Sequence, residues 1–167
     1  MENFARDIGN MLEHKLILYR QLNAILKEER EFIVNIDVDS LWKSAELKKK
    51  TVEKVQKLKE KIFVYIETWT NINKIDLGSF SISYIIKNIP LPKDLKIKIR
   101  KIKLAVDNEK NELARAASEN KKFVQEYLGV IDDIMSVAVD NSRQPQYNFS
   151  GTRKGTKNSN CLIHAQV

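Results

Sequence analysis

The chain has 167 residues, enough for one ordinary domain, with 31% charged and 43% hydrophobic residues but only five glycines and three prolines. So few turn formers exclude a sandwich or a barrel and leave long amphipathic helices. A formal charge of +7 points toward an acidic partner, the lack of eighteen consecutive apolar residues excludes a membrane-spanning helix, and the single cysteine, Cys161, excludes a disulfide framework.

In the first segment Met11, Leu18, Ile25 and Phe32 recur every seven residues, and Leu12, Tyr19, Leu26 and Ile33 recur beside them. Two adjacent heptad columns make one broad apolar stripe, which predicts a helix from about residue 3 to about residue 35. A third column, Ile8, Lys15, Leu22, Glu29 and Ile36, alternates apolar with charged residues and is expected at the edge of the stripe. Glu2, Arg6, Asp7, Glu13 and Lys15 are spread through the first twenty positions, so no secretory signal is read there, and a reducing, cytoplasmic location is expected.

Residues 35–40, Asn-Ile-Asp-Val-Asp-Ser, compete for backbone hydrogen bonds, and Asp37 or Asp39 can accept from the free amides of a new helix. That helix is expected over about 38 to 74, with a seam of Leu41, Ala45, Lys48, Val52, Val55, Lys59, Ile62, Ile66 and Trp69 at alternating spacings of four and three. So short a turn makes the two helices an antiparallel hairpin. Folding it about residue 38 brings Glu29 near the level of Lys48, where the two either pair across the hairpin or sit hydrated at its rim.

From 75 to 94 the pattern breaks at Gly78, Ser79, Ser81 and Ser83, and Pro90 and Pro92 bar a continuous helix. A short helix at 81–88 is expected there, its apolar residues capping the open end of the hairpin. A third long helix starts after Pro92, with Asp94 in its first turn, and runs to about 140. Its stripe is Leu95, Ile99, Ile102, Val106, Leu113, Ala117, Val124, Leu128, Ile131, Met135 and Ala138. At about 1.5 Å per residue it is roughly 70 Å long against roughly 50 to 55 Å for the other two, so its C-terminal part is expected to outrun its partners.

In that part Phe123, Val124, Tyr127, Leu128, Val130, Ile131, Ile134, Met135, Val137 and Val139 make an apolar face too wide for a narrow seam. Gly129 among them costs roughly 1 kcal/mol of helix propensity. A partner helix would cover and order such a face; packing on the hairpin ends, or self-association, is the alternative. The expected fold class is all-α: an elongated antiparallel helical hairpin plus a third long helix, a coiled-coil-like three-helix bundle over 1–140, followed by a disordered basic tail over 141–167.

The tail holds no acid, yet it keeps two rings, Tyr147 and Phe149, in Gln-Pro-Gln-Tyr-Asn-Phe-Ser-Gly at 144–151. A ring in a polar segment has nothing local to bury against. Tyr147 and Phe149 therefore read as a short linear anchor for a partner's pocket, shaped by Pro145 and Gly151, or else as rings folded back on the third helix.

No phosphate-cradling glycine loop or nucleophile elbow occurs, and His14 and His164 stand apart. Cys161 and His164 are one pair of ligands where zinc needs four. Pairs such as Asp132-Asp133 or Glu28-Glu29 would need a cleft that separates their pKa values. No catalytic residues, no metal and no cofactor are expected, and the chain is read as a binding protein rather than an enzyme.

The run Ile25-Leu26, Glu29, Ile33, Asp37, Leu41, Lys48 resembles the N-terminal hairpin of FlgN-type flagellar export chaperones. Asn120, Phe123-Val124, Leu128 and Ile131 resemble the family's Asn followed by paired hydrophobics in its last long helix, and Tyr147 through Gly151 resembles the Tyr-to-Gly element of its tail. The likeness covers about 25 to 151 in family order, with Asn148 where the family often has Gly after the Tyr. It implies a cytoplasmic chaperone of the flagellar type III export system that holds hook-associated proteins of the FlgK and FlgL type by their terminal helices. It further implies client binding by Phe123, Val124, Tyr127, Leu128, Ile131, Ile134 and Met135, and export-gate docking through Tyr147 and Phe149. Glu29, Asp37, Leu41 and Lys48 would be structural residues of the hairpin.

Two other classes stay open on the residues alone. The first is a basic helical nucleic-acid binder gripping phosphates with Lys93 to Lys103 and the tail, whose binding should fall when Lys96, Lys98, Arg100 and Lys101 are neutralised. The second is a structural coiled-coil subunit.

Overall fold

A computed structural model describes residues 2–74, 82–84 and 91–142, with the backbone alone for 140–142. These residues form helices and the turns that join them, with no strand among them. The long helices are α1 (Glu2–Val34), α2 (Val38–Ile72) and α3 (Lys93–Ser142). Two compact units divide the chain, Met1–Val124 and Gln125–Val167.

In the first unit α1 and α2 are antiparallel. Phe4 near the start of α1 stacks on Tyr65 and Trp69 near the end of α2, at ring separations of 5.6 and 4.0 Å. Close by, the Tyr65 hydroxyl donates to Asp7 at 2.6 Å. At the other end Lys48 donates to Glu29. The N-terminal part of α3 runs parallel to α1, because their partners ascend together: Glu13 with Lys98 at 3.2 Å, Arg20 with Glu109 at 3.3 Å, and Arg30 with Glu119 at 2.9 Å.

The turn follows from its residues. Asp37 N–H bonds the Phe32 carbonyl at 2.9 Å and Ile36 N–H bonds that of Ile33 at 3.2 Å, a Schellman closure that satisfies the last carbonyls of α1. The left-handed position belongs to Ile36, at φ 55°, where glycine is usual. Asp37 then caps α2, its side chain accepting from Ser40 N–H at 3.0 Å, and those bonds hold its carboxyl below the usual range.

The core is made by Ile8, Leu12 and Ile66, the most enclosed large side chains, with Phe4, Leu22, Leu26, Leu58, Ile62, Ile99 and Val106 around them. This overturns the edge position expected for the third column of α1: Ile8, Leu22 and Glu29 are all buried, and only Ile36 is exposed. The column faces both α2 and α3, so three helices rather than two enclose it.

The seam of α2 is likewise displaced. Val52 and Lys59, expected in it, are exposed, whereas Ser44, Thr51 and Leu58 are buried. Thr51 tolerates burial because its hydroxyl donates to the Leu47 carbonyl at 2.8 Å, and Thr70 does the same toward Glu67 at 2.8 Å. A pattern of apolar letters passes over such positions. On α3 the expected stripe holds through Leu113, but Ala117 is exposed and Asn120 takes the buried place instead.

Of the short helix expected at 81–88, residues 82–84 are described and helical, with Ile82 packed against the core. The rest lies outside the described residues.

In the second unit residues 125–142 continue as helix, and every described side chain there is exposed.

Candidate functional site

The apolar face expected on the third helix forms as helix in spite of its valines and Gly129, beside which a Cβ would meet nothing. In the first unit Phe123 is half-buried under the Arg30 guanidinium, which lies 5.6 Å from the ring centre, and Val124 is exposed. In the second unit Leu128, Val130, Ile131, Ile134, Met135 and Val137 are between 51% and 63% exposed, and Tyr127 and Val139 somewhat less.

Spaced at about 100° per residue, the apolar residues of 127–139 fill an arc of about 200° on one side of the helix. The rest of the surface carries Gln125, Glu126, Gly129, Asp132, Asp133 and Ser136. Large exposed hydrophobics are ordinary when scattered; here they are ranked along one face of a helix.

A second constellation joins all three helices in the first unit. Glu29, buried on α1, accepts from Lys48 of α2 through one oxygen and from the Asn120 side-chain amide of α3 through the other, the latter at 3.2 Å. Asn120 also donates to the Leu26 carbonyl at 2.8 Å. Each of these groups needs the others, since a carboxylate this enclosed is costly without donors. Asp37 and Leu41 stand one turn apart at the head of α2, where Leu41 N–H bonds the Asp37 carbonyl at 3.0 Å.

Between α1 and α3 lies a groove of about 320 Å³ lined by Asn23, Leu26, Arg30, Glu109, Arg115 and Glu119 among others. Its charges engage one another. Arg115 bridges Glu112 and Glu119 at 2.7 and 3.1 Å, and Asn23 donates to Glu109 at 2.6 Å. Asn23 was not singled out from the sequence, because a lone Asn on a helix carries no signal until its neighbour is known.

The basic run at the head of α3 is partly engaged too. Lys98 pairs with Glu13 at 3.2 Å and Lys103 with Asp107 at 2.6 Å, while Arg100 and Lys101 are exposed and Lys96 is half-buried. Among the described residues no three His, Cys, Asp or Glu side chains gather to hold a metal, and no helix is long and apolar enough to cross a membrane. Tyr147 and Phe149 lie outside the described residues.

Compared with known protein families, residues 1–155 match the one described as FlgN protein. No curated protein and no solved structure matches the chain.

Proposed function

From the premise that this chain belongs to the FlgN family of flagellar export chaperones, we propose that it holds hook-associated proteins of the FlgK and FlgL type in the cytoplasm before secretion. It prevents their premature assembly and delivers them to the type III export apparatus. The single observation that carries this reading is the ranked exposure of Leu128, Ile131, Ile134 and Met135 on one helical face. The terminal helices of such clients are amphipathic and lack their polymer partners before assembly. A helix laid along this face buries apolar surface of both chains, at about 25 cal/mol per Å² removed from water.

The client-binding residues are Tyr127, Leu128, Ile131, Ile134 and Met135, with Phe123 and Val124 preceding them in α3. Tyr147 and Phe149 serve as the export-gate anchor. Loading the client needs no nucleotide.

The test is a titration, at physiological salt, of the full chain with the C-terminal segment of a hook-associated protein from the same organism. Saturable binding at micromolar concentration or tighter, lost in Leu128→Asp and Ile131→Asp, is the expected result. A Tyr147→Ala chain should bind the client normally and fail to support its export. No binding by the wild-type chain, accompanied by salt-sensitive binding of duplex DNA that falls when Lys96, Lys98, Arg100 and Lys101 are neutralised, would replace the chaperone reading with a nucleic-acid one.

A further inference from the structure

We infer that the apolar face of residues 127–139 selects an amphipathic helix whose apolar stripe is bordered by lysine or arginine. This rests on the client-binding reading above and specifies the chemistry of the client's helix. Residues 125–142 hold four acids, Glu126, Asp132, Asp133 and Asp140, and no basic residue, in a chain whose formal charge is +7.

The acids are placed where a partner's flanks would fall. With about 100° per residue, Asp132 stands next to Val139 at one edge of the apolar arc, and Asp133 and Glu126 stand next to Val137 at the other. A helix seated on the arc would bring its own flanking side chains beside these carboxylates. Opposite charges there favour binding and steer encounter; like charges oppose both.

The same placement argues against a second copy of this face as the occupant, because facing copies would set Asp132 and Asp133 against their equivalents.

The experiment uses the full-length chain and two synthetic peptides of equal length, helicity and apolar face, one flanked by lysines and one by glutamates. At low salt the lysine-flanked peptide should bind about tenfold tighter, as two or three partly exposed pairs allow. The difference should shrink as added salt shortens the screening length. Overall charge works in the opposite sense, since a +7 chain attracts the acidic peptide, so a lysine preference has to come from the local acids. The double variant Asp132→Lys/Asp133→Lys, exposed at both sites, should reverse the preference while keeping the wild-type helix signal in circular dichroism.

Equal binding of both peptides, unmoved by the double variant, would overturn the charge selection. If Leu128→Asp still abolished that binding, the client face itself would stand. Binding of neither peptide, or tighter binding of the glutamate-flanked one, would overturn the inference as well. Loss of the hook-associated client's binding to wild type, tested in parallel, is what would remove the reading beneath it.

Discussion

Asn120 of α3 reaches Glu29 of α1 with its side-chain amide at 3.2 Å, and this hydrogen bond ties the third helix to the hairpin at the level where Lys48 already holds the carboxylate from α2. Glu29 is only 9% exposed and Asn120 only 5%. Removing one donor should therefore cost more than an average surface contact. Asn120→Ala is expected to lower stability by about 1 to 3 kcal/mol, because it removes a buried donor to both the Glu29 carboxylate and the Leu26 carbonyl. Lys48→Met should cost about 2 kcal/mol or more, whereas replacing Glu29 and Lys48 together by leucine should recover much of the loss. Urea unfolding of the single and double variants measures this; additive losses would contradict a coupled cluster.

Ile36 occupies a left-handed position at φ 55° and is 67% exposed, so it bears the strain of a β-branched residue there and gains little burial in return. Ile36→Gly should raise stability by about 1 kcal/mol, seen as a higher urea midpoint with an unchanged slope. A lower midpoint would mean that Ile36 packs in a way its exposure does not suggest.

Lys15 stands in the buried column between Ile8 and Leu22. Burial pushes its ammonium pKa below the ordinary value, the nearby Lys59 and Lys110 push it further, and Asp107 opposes them. A folded-state pKa below the unfolded one means that the charged form weakens the fold, so stability should rise with pH through the range between the two values. Lys15→Met should be more stable than wild type near neutral pH by about 0.5 to 1 kcal/mol, and should lose that rise. The contact of Lys15 with the Tyr19 ring, 5.6 Å to its centre, sets the limit on the gain.

Tyr65 has its hydroxyl pKa pushed up to about 12, first by burial and then by donating to Asp7. Its folded value lies above the unfolded one, so its contribution is complete below about pH 10 and is lost as pH rises toward 12. Tyr65→Phe should therefore be less stable than wild type at neutral pH yet show a shallower decline in thermal midpoint above pH 10. Tyr19, raised by burial and by Asp107, titrates in the same sense and remains in both proteins.

Heptad columns on α1, the capping candidates Asp37 and Asp39, and Pro92 before α3 were enough to read three long helices and an antiparallel hairpin, and α1, α2 and α3 lie within two residues of the limits expected. The apolar face at 127–139 was equally legible, since periodicity at 3.6 residues is a property of one helix by itself. Thr51, Thr70 and Asn120 were not legible as buried residues. Their polar atoms are satisfied by backbone carbonyls and by Glu29, and letters alone do not show those bonds.

The sequence by itself thus determined the secondary structure, the sense of the hairpin and which residues share a face, because these depend on spacing along the chain. Only the tertiary structure decided that α3 runs parallel to α1 with Asn120 against Leu26 and Glu29, and that the column through Ile8, Lys15, Leu22 and Glu29 is central. Register and burial are set by which surfaces meet across a connection of some twenty residues, and contacts between residues 91 or 94 positions apart leave no periodic trace in the chain.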